Sequence, residues 1–200
     1  MPGQNLINSQ STAPLVLASG SPRRRQLLSQ AGLRFEIVES GVDERQHQGE
    51  TGRDFAQRMA GEKAMAVSAQ RPGAIVLGAD TVVEIDGQVL GKPENPAQAR
   101  TMLNLLSGRT HRVHTGFALA RAGGLIERAV ITSEVRFRPL SDAEIERYIA
   151  TDEPYDKAGG YAIQGDGGDF IAGVEGSSAN VMGLPIDEVL DSLRRHGMVR

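Results

Sequence analysis

The sequence predicts an α/β domain built on a mixed sheet, and three observations predict it. Short apolar runs alternate with helix-period segments through the first half. Two long β-rich stretches, 110 to 120 and 125 to 140, then follow one another through Arg121-Ala122-Gly123-Gly124, a hairpin signal. Helix-start signals recur at Ser21-Pro22, Asn95-Pro96 and Ser141 with Glu144.

The first 13 residues are polar and aperiodic and are expected to form a disordered tail, with one domain over 14–200. A strand from Leu15 to Ala18 passes through Ser19-Gly20-Ser21-Pro22 into a helix that ends near Gly32. Ser21 suits the N-cap, Pro22 the first helical position, and Gly32 the left-handed residue beyond the last turn. A second strand spans Arg34 to Val38, and a helix runs from about Thr51 to Gln70. Ala74 to Leu77 reads as a buried strand, and Thr81 to Ile85 as the first arm of a hairpin returning through Asp86-Gly87 to Leu90. The segment from Asn95 to Gly108 is helical, and Ser141 opens another helix through a capping box. A glycine-rich segment, 159 to 168, precedes a last strand and a helix after Pro185.

Composition narrows the function. Of 200 residues, 40% are hydrophobic and 24% charged, which is ordinary globular usage. With an aromatic share of 4% and a net charge of -3, neither base-stacking platforms nor a global attraction to nucleic acid or anionic membrane is expected. The chain has no cysteine, which removes thiolate chemistry. No apolar run approaches the ~20 residues of a membrane helix, and a cytoplasmic location is expected.

Several residues break the local rules. Arg23 and Arg24 stand in the first turn of a helix, where the dipole disfavours cations by roughly 0.3–1 kcal/mol each. A bound phosphate would remove the conflict, and an arginine-rich solvated face is the competing reading. Lys63 falls at ~80° within an apolar arc of ~180°, so it either runs along that surface to solvent or reaches an anion in a cleft. Asp80 interrupts an otherwise apolar strand; it is either a functional carboxylate with a partner or the cap of a turn after Gly78. The hairpin register places Ile85 opposite Gln88, Val83 opposite Leu90 and Thr81 opposite Lys92, and so predicts Lys92 near Asp80. Glu44 lies in a loop, where acids are usually just solvated. His111 and His114 differ by an odd number on a strand and should face opposite ways, so the histidines form no metal cluster.

Five ordered motifs, LASGSPRRRQLL, GADTVVEIDGQVLGKP, LSGRTHRVHTGFAL, EPYDKAGGYAIQG and NVMGLP, make the chain resemble the Maf family of nucleoside triphosphate pyrophosphatases from about Leu15 to Leu190. The resemblance implies an elongated mixed sheet flanked by helices, with two lobes around a nucleotide-binding cleft, as in the inosine-triphosphate pyrophosphatase superfamily, and a homodimer. It implies hydrolysis between the α and β phosphates with Mg²⁺ or Mn²⁺, a house-cleaning role and a link to cell division. Carried over by position, Ser19, Arg23 and Arg24 are the phosphate-binding group, with Lys63 and Lys92 as cationic partners. Glu44 and Asp80 are the metal-binding acids, Asp80 also activates water, and Gln164 is an active-site residue. Thr81, Asp156, Lys157 and Tyr161 are associated with the branch acting on dTTP and UTP, and modified pyrimidine triphosphates fit the same set. Asp152 stands where the family pattern has glycine, and Ser178 where a bulky aromatic is frequent. A nucleotide-binding regulator without catalysis and a pyrophosphatase for purine triphosphates are the alternative readings.

Overall fold

The computed structural model describes residues 13–199; the expected tail, apart from its last residue, lies outside them. The elements are β1 (Leu15–Leu17), α1 (Pro22–Gln30), β2 (Glu36–Ile37), α2 (Gly52–Gln70), β3 (Ile75–Ile85), β4 (Gln88–Leu90), α3 (Pro96–Leu106), β5 (Thr110–Arg121), β6 (Gly124–Phe137), α4 (Asp142–Ile149), β7 (Ile171–Glu175), α5 (Ser178–Met182) and α6 (Ile186–Arg195). One mixed sheet runs through them in the order β2-β1-β3-β5-β6-β7. β1 is parallel to β2 and β3, whereas the neighbouring pairs β3–β5, β5–β6 and β6–β7 are antiparallel.

The local chemistry acts as its residue types dictate. Ser21 accepts the Arg24 N–H, Thr51 caps α2, and Asn95 caps α3. Ser141 and Glu144 cap each other's backbone in a full capping box. Asp86-Gly87 and Ala122-Gly123 form tight turns with positive φ at both positions, which sets the twist of two-residue hairpins.

β3 alternates its side chains between two environments. Ile75, Leu77 and Ala79 join α1 and α6 in one core, while Val83 and Ile85 join β4, α3 and α4 in a second core farther along the same face. These cores are the two lobes. On the opposite face α2 lies across the sheet, packing Phe55, Ala56 and Met59 against Val82, and Ala60 and Ala64 against Ala118 and Ala120. The helix sits this close because the strands carry glycine beneath it. A Cβ at Gly78 would meet the Ala60 carbonyl oxygen at 2.3 Å, and one at Gly116 the Ala56 carbonyl oxygen at 2.2 Å.

The structure corrects the expected elements in three places. β3 is one continuous strand of 11 residues rather than two pieces, because Gly78 marks the helix contact and not a turn. β2 keeps two residues of the five expected. The β3–β4 ladder stops at Val83–Leu90, so Lys92 has no ladder partner in Thr81; Thr81 pairs instead with Thr115 on β5.

Candidate active site

The cleft follows from the strand pairing. β5 covers one edge of β3 throughout, so β1 and β4 share the other edge, β1 against residues 75 to 77 and β4 against residues 83 to 85. From Gly78 to Val82 that edge has no strand partner among the described residues. The chain leaves β1 through Ser19-Gly20-Ser21 and leaves β4 through Gly91-Lys92, and both exits border the gap. The gap opens into a cleft of about 720 Å³. Ser19, Arg23, Arg24, Glu44, Lys63, Asp80, Thr81, Lys92, Asp156, Lys157, Tyr161 and Gln164, the full set of sequence candidates, line it.

Asp80 lies in mid-strand on the face covered by α2, and Lys63 projects from that helix. The Lys63 ammonium is 2.6 Å from Asp80 Oδ1 and 2.6 Å from Glu44 Oε1, so one cation joins a loop acid to a strand acid. Lys63 and Asp80 are 6% and 8% exposed, which excludes the path along the apolar face to solvent for Lys63. Burial raises the Asp80 carboxyl above its ordinary range, against the opposing charges of Lys63 and Arg24. Burial pushes Glu44 upward as well, but the hydrogen bond and charge of Lys63, with Lys92 and Arg24, outweigh it and hold Glu44 below its ordinary value.

Arg24 turns inward. Its Nε donates to the Gly183 carbonyl at 2.9 Å, Nη1 to Ser19 Oγ at 3.0 Å, and Nη2 to Thr81 Oγ1 at 3.1 Å. Three of its five N–H groups therefore brace the cleft wall, leaving two for a ligand. Burial lowers its pKa from the usual guanidinium value. Arg23 projects across the cleft and pairs with Asp156 at 3.6 Å. Asp156 also binds Lys157, which in turn donates to the Glu153 carbonyl. Lys92 is exposed at the mouth.

The glycine-rich segment is tied down. Gly159 donates its N–H to the Gly91 carbonyl and packs on Val83, with φ +71. Glu153 accepts from the backbone N–H groups of Asp166 and Gly167 and from the Tyr148 hydroxyl, fixing the turn just beyond Gln164. Tyr161 is buried, with its hydroxyl 2.6 Å from His111 Nε2.

Four supporting residues escaped the sequence reading. Thr115 bonds both Thr81 Oγ1 and the Asn180 carbonyl, and Asn180 donates to the Val113 carbonyl and Ser133 Oγ. Gly183, at φ +114, aims its carbonyl at Arg24. His111 supports Tyr161. A glycine just ahead of Leu-Pro was the available signal for Gly183, because a left-handed residue closes the short helix there.

Glu44 and Asp80 form a two-acid site. No group of three or more His, Cys, Asp or Glu able to hold a metal occurs among the described residues. Two carboxylates converging on one ammonium nevertheless mark a place where positive charge is held, and Mg²⁺ commonly takes one or two carboxylates with the remaining positions filled by water and phosphate oxygens. The donor set fits such an ion.

The site is thus a mixed α/β sheet opened at one strand edge, with cations and two convergent acids at the opening. The chain belongs to the Maf family, whose model, described as Maf-like protein, matches residues 14–196. Among its relatives, a dTTP/UTP pyrophosphatase from Syntrophus aciditrophicus is 49% identical over 93% of this chain and 91% of its own length. Another of that name from Myxococcus xanthus is 50% identical over 92% and 93%, and one from Anaeromyxobacter sp. 52% identical over 92% and 89%. In fold the chain is similar to a HAM1 protein from Coxiella burnetii, with a TM-score of 0.51, 14% identity, and 92% and 100% of the two chains covered. No helix of the described residues is long and apolar enough to cross a membrane.

Proposed function

We propose that the cleft hydrolyses dTTP and UTP, and modified pyrimidine triphosphates of the same shape, between the α and β phosphates, in a reaction dependent on Mg²⁺ or Mn²⁺. The coarser statement, that the chain is a nucleoside triphosphate pyrophosphatase, follows from its family and from relatives of one name at about half identity over nine-tenths of the chain. The observation that carries the finer chemistry is the convergence of Glu44 and Asp80 on Lys63 beside the unpaired edge of β3.

Attack of water on the α-phosphorus forms one P–O bond and breaks the bond to the bridging oxygen, so negative charge grows on the departing pyrophosphate. Arg23, Lys63 and Lys92, with the two spare N–H groups of Arg24, offset that charge from fixed positions. Asp80 accepts the proton that water loses; burial makes it a stronger base than an ordinary aspartate, and Lys63 holds it ionised. A divalent ion held by Glu44 and Asp80 would supply Lewis acidity at the phosphate and a lower pKa for bound water. Thr81 and Ser19 hold Arg24 in place, and Gln164 borders the cleft as a polar group for the substrate.

The apolar end of the cleft, Val83, Leu90, Val113 and Ala158, takes the nucleobase. Asp156, paired with both Arg23 and Lys157, directly precedes Lys157 and Ala158 in the chain, and Asp156 and Lys157 complete the pyrimidine-selective wall. A house-cleaning role in the cytoplasm and a homodimer accompany this proposal; light scattering tests the latter.

The deciding measurement is pyrophosphate against orthophosphate released from dTTP, UTP, CTP, ITP and 7-methyl-GTP with Mg²⁺ or Mn²⁺. Pyrophosphate from dTTP and UTP, reduced roughly 10²-fold or more in Asp80→Asn, is the expected result. No release from any triphosphate would overturn the proposal, and faster turnover of ITP would move the substrate to purines.

A further inference from the structure

The tyrosine beside the cleft rests on a histidine that stability alone does not explain. His111 is 2% exposed on β5, where it pairs with Val135 of β6, and its ring packs against Phe137 and Tyr161, both members of the second core. Its ring meets Phe137 edge-on at 5.1 Å and Tyr161 at 5.3 Å, and Phe137 and Tyr161 meet at 4.7 Å. Within this aromatic cluster Nε2 and the Tyr161 hydroxyl share a hydrogen bond of 2.6 Å, while Nδ1 has no hydrogen-bond partner. A buried polar atom left unsatisfied is destabilising, and an apolar pair of similar shape would fill the space without that cost. Buried polar pairs that break the packing rule are expected where function requires them.

The cleft supplies the function. Tyr161 lines it beside Val83, Leu90, Val113 and Ala158, and three residues later the chain presents Gln164. Before Tyr161 stand Gly159 and Gly160, both at φ +71, so the backbone there has no side chains of its own to anchor it. Its backbone is tied by the Gly159 N–H to the Gly91 carbonyl and the Gly160 N–H to the Lys157 carbonyl, and the Tyr161 hydroxyl adds a side-chain tie to His111. Along β3, Val83 lies three residues from Asp80, about 10 Å at strand rise, which is the scale of a nucleoside between its α-phosphate and the far edge of its base.

We propose that His111 is a positioning residue for nucleotide hydrolysis: its hydrogen bond fixes Tyr161 as the wall against the nucleobase and thereby sets the segment that carries Gln164. This rests on the reading of the cleft as a nucleoside triphosphate site. Tyr161 touches the substrate, and His111 acts through it.

The test compares wild type with Tyr161→Phe, His111→Leu and the double variant. Each is measured by steady-state hydrolysis of dTTP, by calorimetric binding of dTMP and by thermal unfolding. The double variant restores an apolar pair, so its unfolding midpoint should equal or exceed that of wild type. Its KM for dTTP and its Kd for dTMP should rise about fivefold or more, with kcat within about threefold. Because the two side chains act as one unit, the single variants should show nearly the same KM as the double rather than additive effects. Should either single variant fail to fold, the double variant carries the test. A wild-type KM and wild-type dTMP affinity in the double variant would overturn the proposal and leave the pair a packing feature. If wild type binds dTMP but releases no pyrophosphate from dTTP, the catalytic reading fails, and dTMP binding still decides the positioning role.

Discussion

Lys63 Nζ stands 2.6 Å from Asp80 Oδ1 and 2.6 Å from Glu44 Oε1, so a helix cation holds together two acids from a strand and a loop. Lys63→Met leaves the buried Asp80 without that partner, and breaking a buried pair costs roughly 3 kcal/mol or more. The midpoint in urea should fall accordingly, and dTTP turnover should drop by about 10²-fold. Mn²⁺ should raise the unfolding midpoint of this variant more than that of wild type, since the two acids then lack their cation. Unchanged stability and rate would show that Lys63 is a spectator.

Arg24 and lysine are not interchangeable here. One guanidinium joins Gly183, Ser19 and Thr81, three points that no single ammonium reaches in the same geometry. Arg24→Lys should lose roughly 3 kcal/mol, the scale of one or two charge-assisted hydrogen bonds, and lower kcat/KM for dTTP more than about tenfold. A melting curve and a substrate titration check both, and wild-type values for either would contradict the bracing role.

Burial pushes the His111 pKa down to about 4, from an ordinary value of 6.5. The unfolded chain therefore binds a proton that the folded chain refuses between those values. Stability is fully present above pH 6.5, declines as pH falls toward 4 and levels off for this group below it. Its contribution is on the order of 3 kcal/mol across that window. Urea midpoints should fall from pH 7 to pH 5, and the slope should flatten in the His111→Leu, Tyr161→Phe double variant. An equal slope in both proteins would assign the pH dependence elsewhere.

The contact of α2 with the sheet depends on missing side chains. At Gly116 an added Cβ would lie 2.2 Å from the Ala56 carbonyl oxygen, and both atoms are fixed by backbone. Gly116→Ala should destabilise by roughly 3 kcal/mol or prevent folding. Gly73→Ala, where nothing lies within 4 Å of the added atom, should stay within about 0.5 kcal/mol of wild type. Equal stability of the two would disprove the seam.

Short-range chemistry was legible in the sequence, and long-range packing was not. Ser21, Asn95, Ser141 and the Asp86-Gly87 turn announce their structures because each acts on backbone a few residues away. Gly78 misleads for the opposite reason: it reads as a break in a strand, yet its purpose is to admit α2, which the local sequence does not display. The cleft was visible where residues conflict with their own element. Arg23 and Arg24 in a first turn, Lys63 in an apolar arc and Asp80 inside a strand all border the same space. Thr115 and His111 show no such conflict, since a polar residue on a strand resembles a solvent-facing position. Their partners Asn180 and Tyr161 lie 65 and 50 residues away.

The Arg23–Asp156 pair across the cleft has a further consequence for turnover. Arg23 comes with its own counter-ion, so under the proposed function an arriving triphosphate would exchange with Asp156 instead of settling on bare charge. Exchange limits how tightly the ground state is held, which leaves more of the attraction to be realised as charge develops in the reaction. Under the same proposal it would also work in reverse: when pyrophosphate leaves, Asp156 is at hand to reclaim Arg23, which would keep a site that attracts polyanions from being clogged by one.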